Sequence, residues 1–288
     1  MAPLTLPTPL VSVPWLAEHL GEPGLVVVDA SSYLASAARD ARAEFAAGHI
    51  PGAVFADMEW LHDERSPLPH TFPTAVQFSA RVESLGIGSD DAIVVYDGSG
   101  QNFSAPRLWF MLRTFGHDRV AVLDGGLRRW VMDAHPLQAG EATPTPARFV
   151  ARLDERRLRD TAAMQSQLGD SNAQVADARS PGRFAAAEPE PRPGVRGGHI
   201  PGSRNVHYAR LVRDDGMLRP AEELRAIMDE AGIDPARPVV TSCGSGMTAC
   251  AVALALEVLG GPPASVYDGS WTEWGGRSDT PVETGPPR

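Results

Sequence analysis

Short apolar runs that do not alternate with polar residues punctuate this chain, and segments of helical length lie between them. Leu25–Asp29 and Ala92–Tyr96 in the first half, and Gln174–Asp177, Pro238–Thr241 and Ser265–Tyr267 in the second, read as strands. Thr74–Leu85, Ala105–Phe115, Ala221–Ala231 and Met247–Leu259 read as helices. Strands that are apolar on both faces and separated by helices predict an α/β fold, with a mainly parallel sheet covered on both sides. In such folds the reactive groups collect at the carboxyl ends of the strands.

The pattern occurs twice. Gly48-His49-Ile50-Pro51-Gly52 returns as Gly198-His199-Ile200-Pro201-Gly202, and Val27-Val28-Asp29-Ala30 is echoed by Val175-Ala176-Asp177-Ala178. Leu123-Asp124-Gly125-Gly126, closing on Trp130, answers Tyr267-Asp268-Gly269-Ser270, closing on Trp274. Three markers at a nearly constant offset predict two tandem copies of one domain. The expected partition is residues 1–142, a Pro-containing linker over 143–158, and residues 159–288. His49 and His199 stand in turns common to both copies, which gives them a structural reading.

At 288 residues the chain is long enough for two domains that each bury a core. Its formal charge of -10 argues against nucleic acid or an anionic membrane as partner. No apolar stretch approaches the roughly 18 residues of a spanning helix, and the amino terminus lacks the pattern of a signal peptide. Cys243 and Cys250, the two cysteines, lie too close in sequence to frame a disulfide scaffold, so a cytoplasmic, reducing home is expected. Every basic residue is Arg, and Lys is absent.

Candidate chemistry centres on Val239-Val240-Thr241-Ser242-Cys243-Gly244-Ser245-Gly246-Met247-Thr248. A β-branched run ends at a cysteine, and a glycine-spaced loop leads into an Ala/Leu-rich helix. Loop N–H groups and the helix dipole favour an anion there, and the thiolate is the nucleophilic form of cysteine. The first copy has Val94-Val95-Tyr96-Asp97-Gly98 in the same place, so Asp97 stands about where the thiol would be and only the second copy carries a nucleophile. Cys250 reads as a small core residue, while Asp268 and Trp271 read as cleft-edge or turn residues. No metal-ligand spacing and no dinucleotide fingerprint is found, so neither metal nor other cofactor is expected. A phosphatase with a similar cysteine loop needs an Arg six positions after the cysteine, and Ala249 stands there.

These paired G-H-I-P-G turns, the first-copy aspartate and the C-G-S-G-x-T loop resemble the tandem-domain rhodanese family over essentially the whole chain. Within it, they are most similar to the branch that uses 3-mercaptopyruvate. The resemblance implies transfer of sulfur from a small donor to Cys243 as a persulfide, then to a thiol, cyanide or protein acceptor such as thioredoxin. The thiosulfate:cyanide branch is the alternative. Its loop is typically basic, whereas Gly244, Ser245, Gly246, Met247 and Thr248 are neutral; the family usually has Val where Met247 stands. On the match, Arg183 and Arg192 bind the carboxylate and keto oxygen of the donor, a task suited to a planar guanidinium. His70, in Ser66-Pro67-Leu68-Pro69-His70-Thr71-Phe72-Pro73, pairs with Ser245. Glu59 falls where the family has Asp, completing a Ser245–His70–Glu59 relay. A purely partner-docking module would leave the intact cysteine loop unexplained.

Overall fold

The computed structural model describes residues 4–33, 37–170 and 172–286. Among these, two five-stranded sheets are found, and every strand pair in them is parallel. The first sheet holds β1 (Leu10–Val11), β2 (Leu25–Asp29), β3 (Val54–Phe55), β4 (Ala92–Tyr96) and β5 (Val120–Leu123), in the order β1-β5-β4-β2-β3. The second holds β6 (Leu158–Arg159), β7 (Val175–Asp177), β8 (Arg204–Asn205), β9 (Val240–Ser242) and β10 (Ser265–Tyr267), in the order β6-β10-β9-β7-β8. The orders are superimposable, with β4 and β9 central, so Asp97 and Cys243 each leave the carboxyl end of the middle strand of their sheet.

Helices α1 (Val13–His19), α2 (Ala41–Ala47), α3 (Ala75–Ser84), α4 (Ala105–Thr114) and α5 (Gly126–Met132) accompany the first sheet. Helices α6 (Thr161–Ser166), α7 (Pro181–Phe184), α8 (Ala221–Ala231), α9 (Ala249–Val258) and α10 (Ser270–Gly276) accompany the second. The α3 start is fixed by a capping box, in which Thr74 and Gln77 satisfy each other's backbone N–H. Along α9 every residue from Ala249 to Leu256 is buried, as expected of a helix that is apolar all round.

The fold follows the sequence repeat, with two exchanges. One compact unit contains Met1–Glu64, Phe72–Leu153 and Val212–Leu218; the other contains Arg65–Thr71, Asp154–Leu211 and Arg219–Arg288. His70, counted with the first copy along the sequence, therefore packs within the second unit. The repeated histidines are structural in both. His49 stacks on Phe45 at 3.9 Å with Nδ1 2.8 Å from the Phe45 carbonyl, and His199 stacks on Phe184 at 3.7 Å with Nδ1 2.9 Å from the Phe184 carbonyl.

The two copies treat one buried carboxylate differently. Asp177, at the end of β7, is bound by the guanidinium of Arg179 two residues on. Asp29, at the end of β2, has Ser31 at that place, whose N–H donates to it at 2.8 Å. Burial pushes the Asp29 carboxyl up to about 6, against hydrogen bonds from Ser31 that pull it down. The folded protein therefore keeps a proton that the unfolded chain loses near pH 4. This stabilisation is complete below the unfolded value and is lost as pH rises through about 6. Relative to the native protein, Asp29→Asn should gain about 3 kcal/mol between pH 4 and pH 7. Urea unfolding of both proteins across that range checks it, and parallel curves would refute the assignment.

Candidate active site

Cys243 leaves β9 buried, with 2% of its surface exposed. The loop then turns sharply: Gly246 has φ +83°, a left-handed backbone that glycine adopts without a steric penalty, and this brings its N–H to 3.1 Å from Cys243 Sγ. The first turn of α9 follows at Ala249, later than the apolar run alone suggests, because Met247 and Thr248 form the turn that closes the loop. The amino end of α9 and the Gly246 N–H thus both present positive potential toward the sulfur.

A second segment grips the loop from the neighbouring strand. The Ser270 hydroxyl accepts the Cys243 N–H at 3.3 Å and donates to the Tyr267 carbonyl at 2.8 Å. Trp271 N–H donates to the Cys243 carbonyl at 2.9 Å, and both the N–H and the hydroxyl of Thr272 donate to the Gly244 carbonyl, at 2.9 and 2.6 Å. Ser270 (φ +47°) and His70 (φ +58°) are both non-glycine residues in the left-handed region. Each touches the sulfur loop, the kind of place where backbone strain is retained.

His70 Nδ1 lies 2.7 Å from Ser245 Oγ, so the pair read from the sequence is in hydrogen-bond contact. Glu59 belongs to the other compact unit, is exposed, and lines a cavity with Tyr33, Arg39 and Asp57. Cys250 is fully buried, and its thiol donates to the Gly246 carbonyl at 3.4 Å, the environment of a core residue.

Arg183 and Arg192 converge on Gly244. A Cβ at Gly244 would stand 3.0 Å from the Arg183 guanidinium, so a side chain there would press that group away from the loop by a few tenths of an ångström. Arg192 Nη1 is 3.5 Å from Thr272 Oγ1, the hydroxyl already bound to the Gly244 carbonyl. Two residues that sequence reasoning missed hold Arg183 there. Glu190, buried at 4% side-chain exposure, accepts from Arg183 Nε at 3.2 Å and Nη2 at 2.6 Å, and from Arg179 Nη1 at 2.8 Å. Arg179 is fully buried, pairs with Asp177 at 2.6 Å, and stacks over Trp271 at 4.4 Å. Burial opposes the charge of Arg179, yet Asp177 and Glu190 outweigh it and hold the guanidinium above its ordinary range. The alternating series Asp177, Arg179, Glu190, Arg183 fixes one arginine with several N–H donors still available to a planar anion. The only signal in the sequence was the crowding of charges in Asp177–Arg192.

The first copy shows what the same loop does without a thiol. Asp97 Oδ2 accepts the N–H groups of Ser104 and Ala105 at 3.0 Å, at the amino end of α4, and Oδ1 accepts from Ser99. A carboxylate occupies the anion position.

The family described as Rhodanese-like domain matches residues 12–133 and 160–277. The chain is 44% identical to a human 3-mercaptopyruvate sulfurtransferase over 92% of its own length and 91% of the relative's. It is 43% identical to the Escherichia coli K12 enzyme of the same name, over 95% and 97%. Among solved structures, the crystal structure of SseA from Escherichia coli, described as a 3-mercaptopyruvate sulfotransferase, superposes with a TM-score of 0.84 at 40% identity, covering 92% of this chain and 99% of that one.

Proposed function

The chain belongs to the rhodanese-like domain family, present as two tandem copies, and on that premise we propose that it transfers sulfur from 3-mercaptopyruvate through Cys243. The observation that carries the reading is a thiol facing the Gly246 N–H in a neutral loop, with a charge-fixed Arg183 beside it. The Cys243 thiolate attacks the donor sulfur, and the carbon–sulfur bond breaks with its electron pair moving to C3, giving the enolate of pyruvate. The proton lost by the donor thiol is returned to C3 through Ser245 and His70. Charge and atoms balance: a thiolate and mercaptopyruvate become a persulfide anion and pyruvate. A Glu59 carboxylate completing the relay stays within the proposal, as does a reducing, cytoplasmic setting for the two free thiols. Among the described residues, no helix is long and apolar enough to cross a membrane.

Intact mass after exposure to mercaptopyruvate should show one added sulfur, released by cyanide or a thiol and mapped to Cys243. Sulfur on Cys250 would overturn the assignment. The preference for mercaptopyruvate over thiosulfate in kcat/KM should be at least about tenfold. Arg183→Ala or Arg192→Ala should raise KM for mercaptopyruvate about tenfold or more, since a charge-assisted pair to a carboxylate contributes about 1.5–3 kcal/mol. Glu190→Gln should raise KM more than it lowers kcat, because it loosens Arg183 without touching the sulfur. An unchanged KM in all three variants would place the donor carboxylate elsewhere.

A further inference from the structure

We propose that Thr272 is a positioning residue for the sulfur that arrives on Cys243, holding the Gly244–Ser245 peptide so that the Ser245 N–H receives it. The Gly244 carbonyl accepts two hydrogen bonds from this one residue, from the Thr272 N–H at 2.9 Å and from its hydroxyl at 2.6 Å. The preceding Cys243 carbonyl accepts from the Trp271 N–H at 2.9 Å, so both carbonyls face the first turn of α10. In a trans peptide the C=O and the N–H that follows it point opposite ways, and the Gly244–Ser245 bond is trans. The grip on the carbonyl therefore turns the Ser245 N–H away from α10.

That N–H lies inside the turn that Gly246 closes on the sulfur at 3.1 Å, and it meets no acceptor among the described residues. Ser245 is buried, and a buried N–H left without an acceptor is costly. Gly246 stands in the left-handed region, a conformation in which successive N–H groups converge on one anion. The thiolate alone is met by Gly246, and a second sulfur gives Ser245 its acceptor.

The first copy marks where that second sulfur would sit. Ser99 occupies the place of Ser245, and its N–H donates to Asp97 Oδ1 at 2.9 Å. Oδ1 is two bonds from Cβ, as is the outer sulfur of a persulfide on Cys243. The carboxylate oxygen thus stands at the position of the arriving atom, with the counterpart N–H already on it. The hold on the peptide differs between the copies. Arg128 stands in the first copy where Thr272 stands in the second, and the Gly98 carbonyl, counterpart of Gly244, accepts instead from Arg39 Nη2 at 3.1 Å. An anion tied to its own turn by a side chain keeps the N–H in place without help, whereas an anion that arrives must find the N–H already turned toward it.

This role rests on the persulfide reading of Cys243, and the test separates the two. Because Arg192 Nη1 also lies 3.5 Å from the Thr272 hydroxyl, the test uses a sulfur exchange in which no donor carboxylate takes part. Cys243 is loaded with inorganic polysulfide, freed of excess reagent, and titrated with sulfite at fixed thiosulfate, with intact mass giving the loaded fraction. Sulfite takes the outer sulfur as thiosulfate, the Sγ–S bond breaks, and its electron pair stays on Cys243 as thiolate. The sulfite-to-thiosulfate ratio at half-loading therefore measures the persulfide against the thiolate. Thr272→Val, which keeps the shape and the N–H but loses the hydroxyl, should lower that ratio about tenfold, the scale of one hydrogen bond to an anion. Thr272→Ser should restore it, and Thr272→Ala serves if the Val variant does not fold. With mercaptopyruvate, kcat of the hydroxyl-free variants should fall by a larger factor than KM rises. A native ratio without the hydroxyl, a rise in KM alone, or a Ser variant as poor as Val overturns the role of Thr272 alone. Failure of native Cys243 to load overturns the persulfide reading and this role with it.

Discussion

Replacing Cys243 with Ser should abolish turnover with either donor, by on the order of 10⁴-fold or more. Sulfur transfer requires a nucleophile that bonds sulfur to sulfur and then departs as a stable anion, and a serine hydroxyl does neither at neutral pH. The second thiol offers no bypass. Cys250 is sealed in α9 with its proton directed at the Gly246 carbonyl. The fold itself should tolerate the change, because the contacts that clamp position 243 run through its backbone N–H and carbonyl to Ser270 and Trp271. Pyruvate release from mercaptopyruvate and thiocyanate formation from thiosulfate and cyanide measure the two reactions. Turnover retained above about one part in a hundred of native, far above the residual expected after loss of a nucleophile, would place the sulfur carrier at another residue.

The second large effect separates the donors. His70→Ala and Ser245→Ala should each lower turnover of mercaptopyruvate by about 10²-fold, the usual worth of a positioned proton carrier, while thiosulfate turnover changes far less. The distinction is chemical. Mercaptopyruvate must lose a thiol proton and its enolate must gain one, whereas thiosulfate departs as sulfite and asks for neither. The 2.7 Å contact between His70 Nδ1 and Ser245 Oγ supplies a route beside the loop. Equal losses with both donors would mean that the substitutions damage the packing of the loop rather than a proton path.

The long elements were legible because they carry a period or an uninterrupted apolar run. Leu25–Asp29, Ala92–Tyr96, Ser265–Tyr267 and Ala221–Ala231 are found at the ends read from the sequence. The two-residue strands Val54–Phe55 and Arg204–Asn205 were not, since two residues display no alternation and Arg204–Asn205 is polar. They are strands because a longer neighbour, β2 or β7, offers its edge. The site divides in the same way. Cys243 and its glycines announce themselves by spacing, and His70 with Ser245 by resemblance. The grip of Ser270, Trp271 and Thr272 on the loop is made largely by backbone groups, which carry no residue signature. Glu190 was hidden for another reason: its partners Arg179 and Arg183 become neighbours only once β7 and α7 are folded.

Asp97 gives the silent copy a significance beyond the loss of a thiol. Its carboxylate satisfies the same helix end and turn that the other copy keeps for sulfur chemistry, binding Ser99, Ser104 and Ala105 at once. The first loop is therefore a receptor with its guest built in: the chain itself supplies the anion. On the function proposed above, the second loop is the same receptor with its guest made exchangeable, so that sulfur can arrive and leave. Tethering the negative charge to the chain made one copy permanent architecture, and leaving it on a passing atom made the other an enzyme.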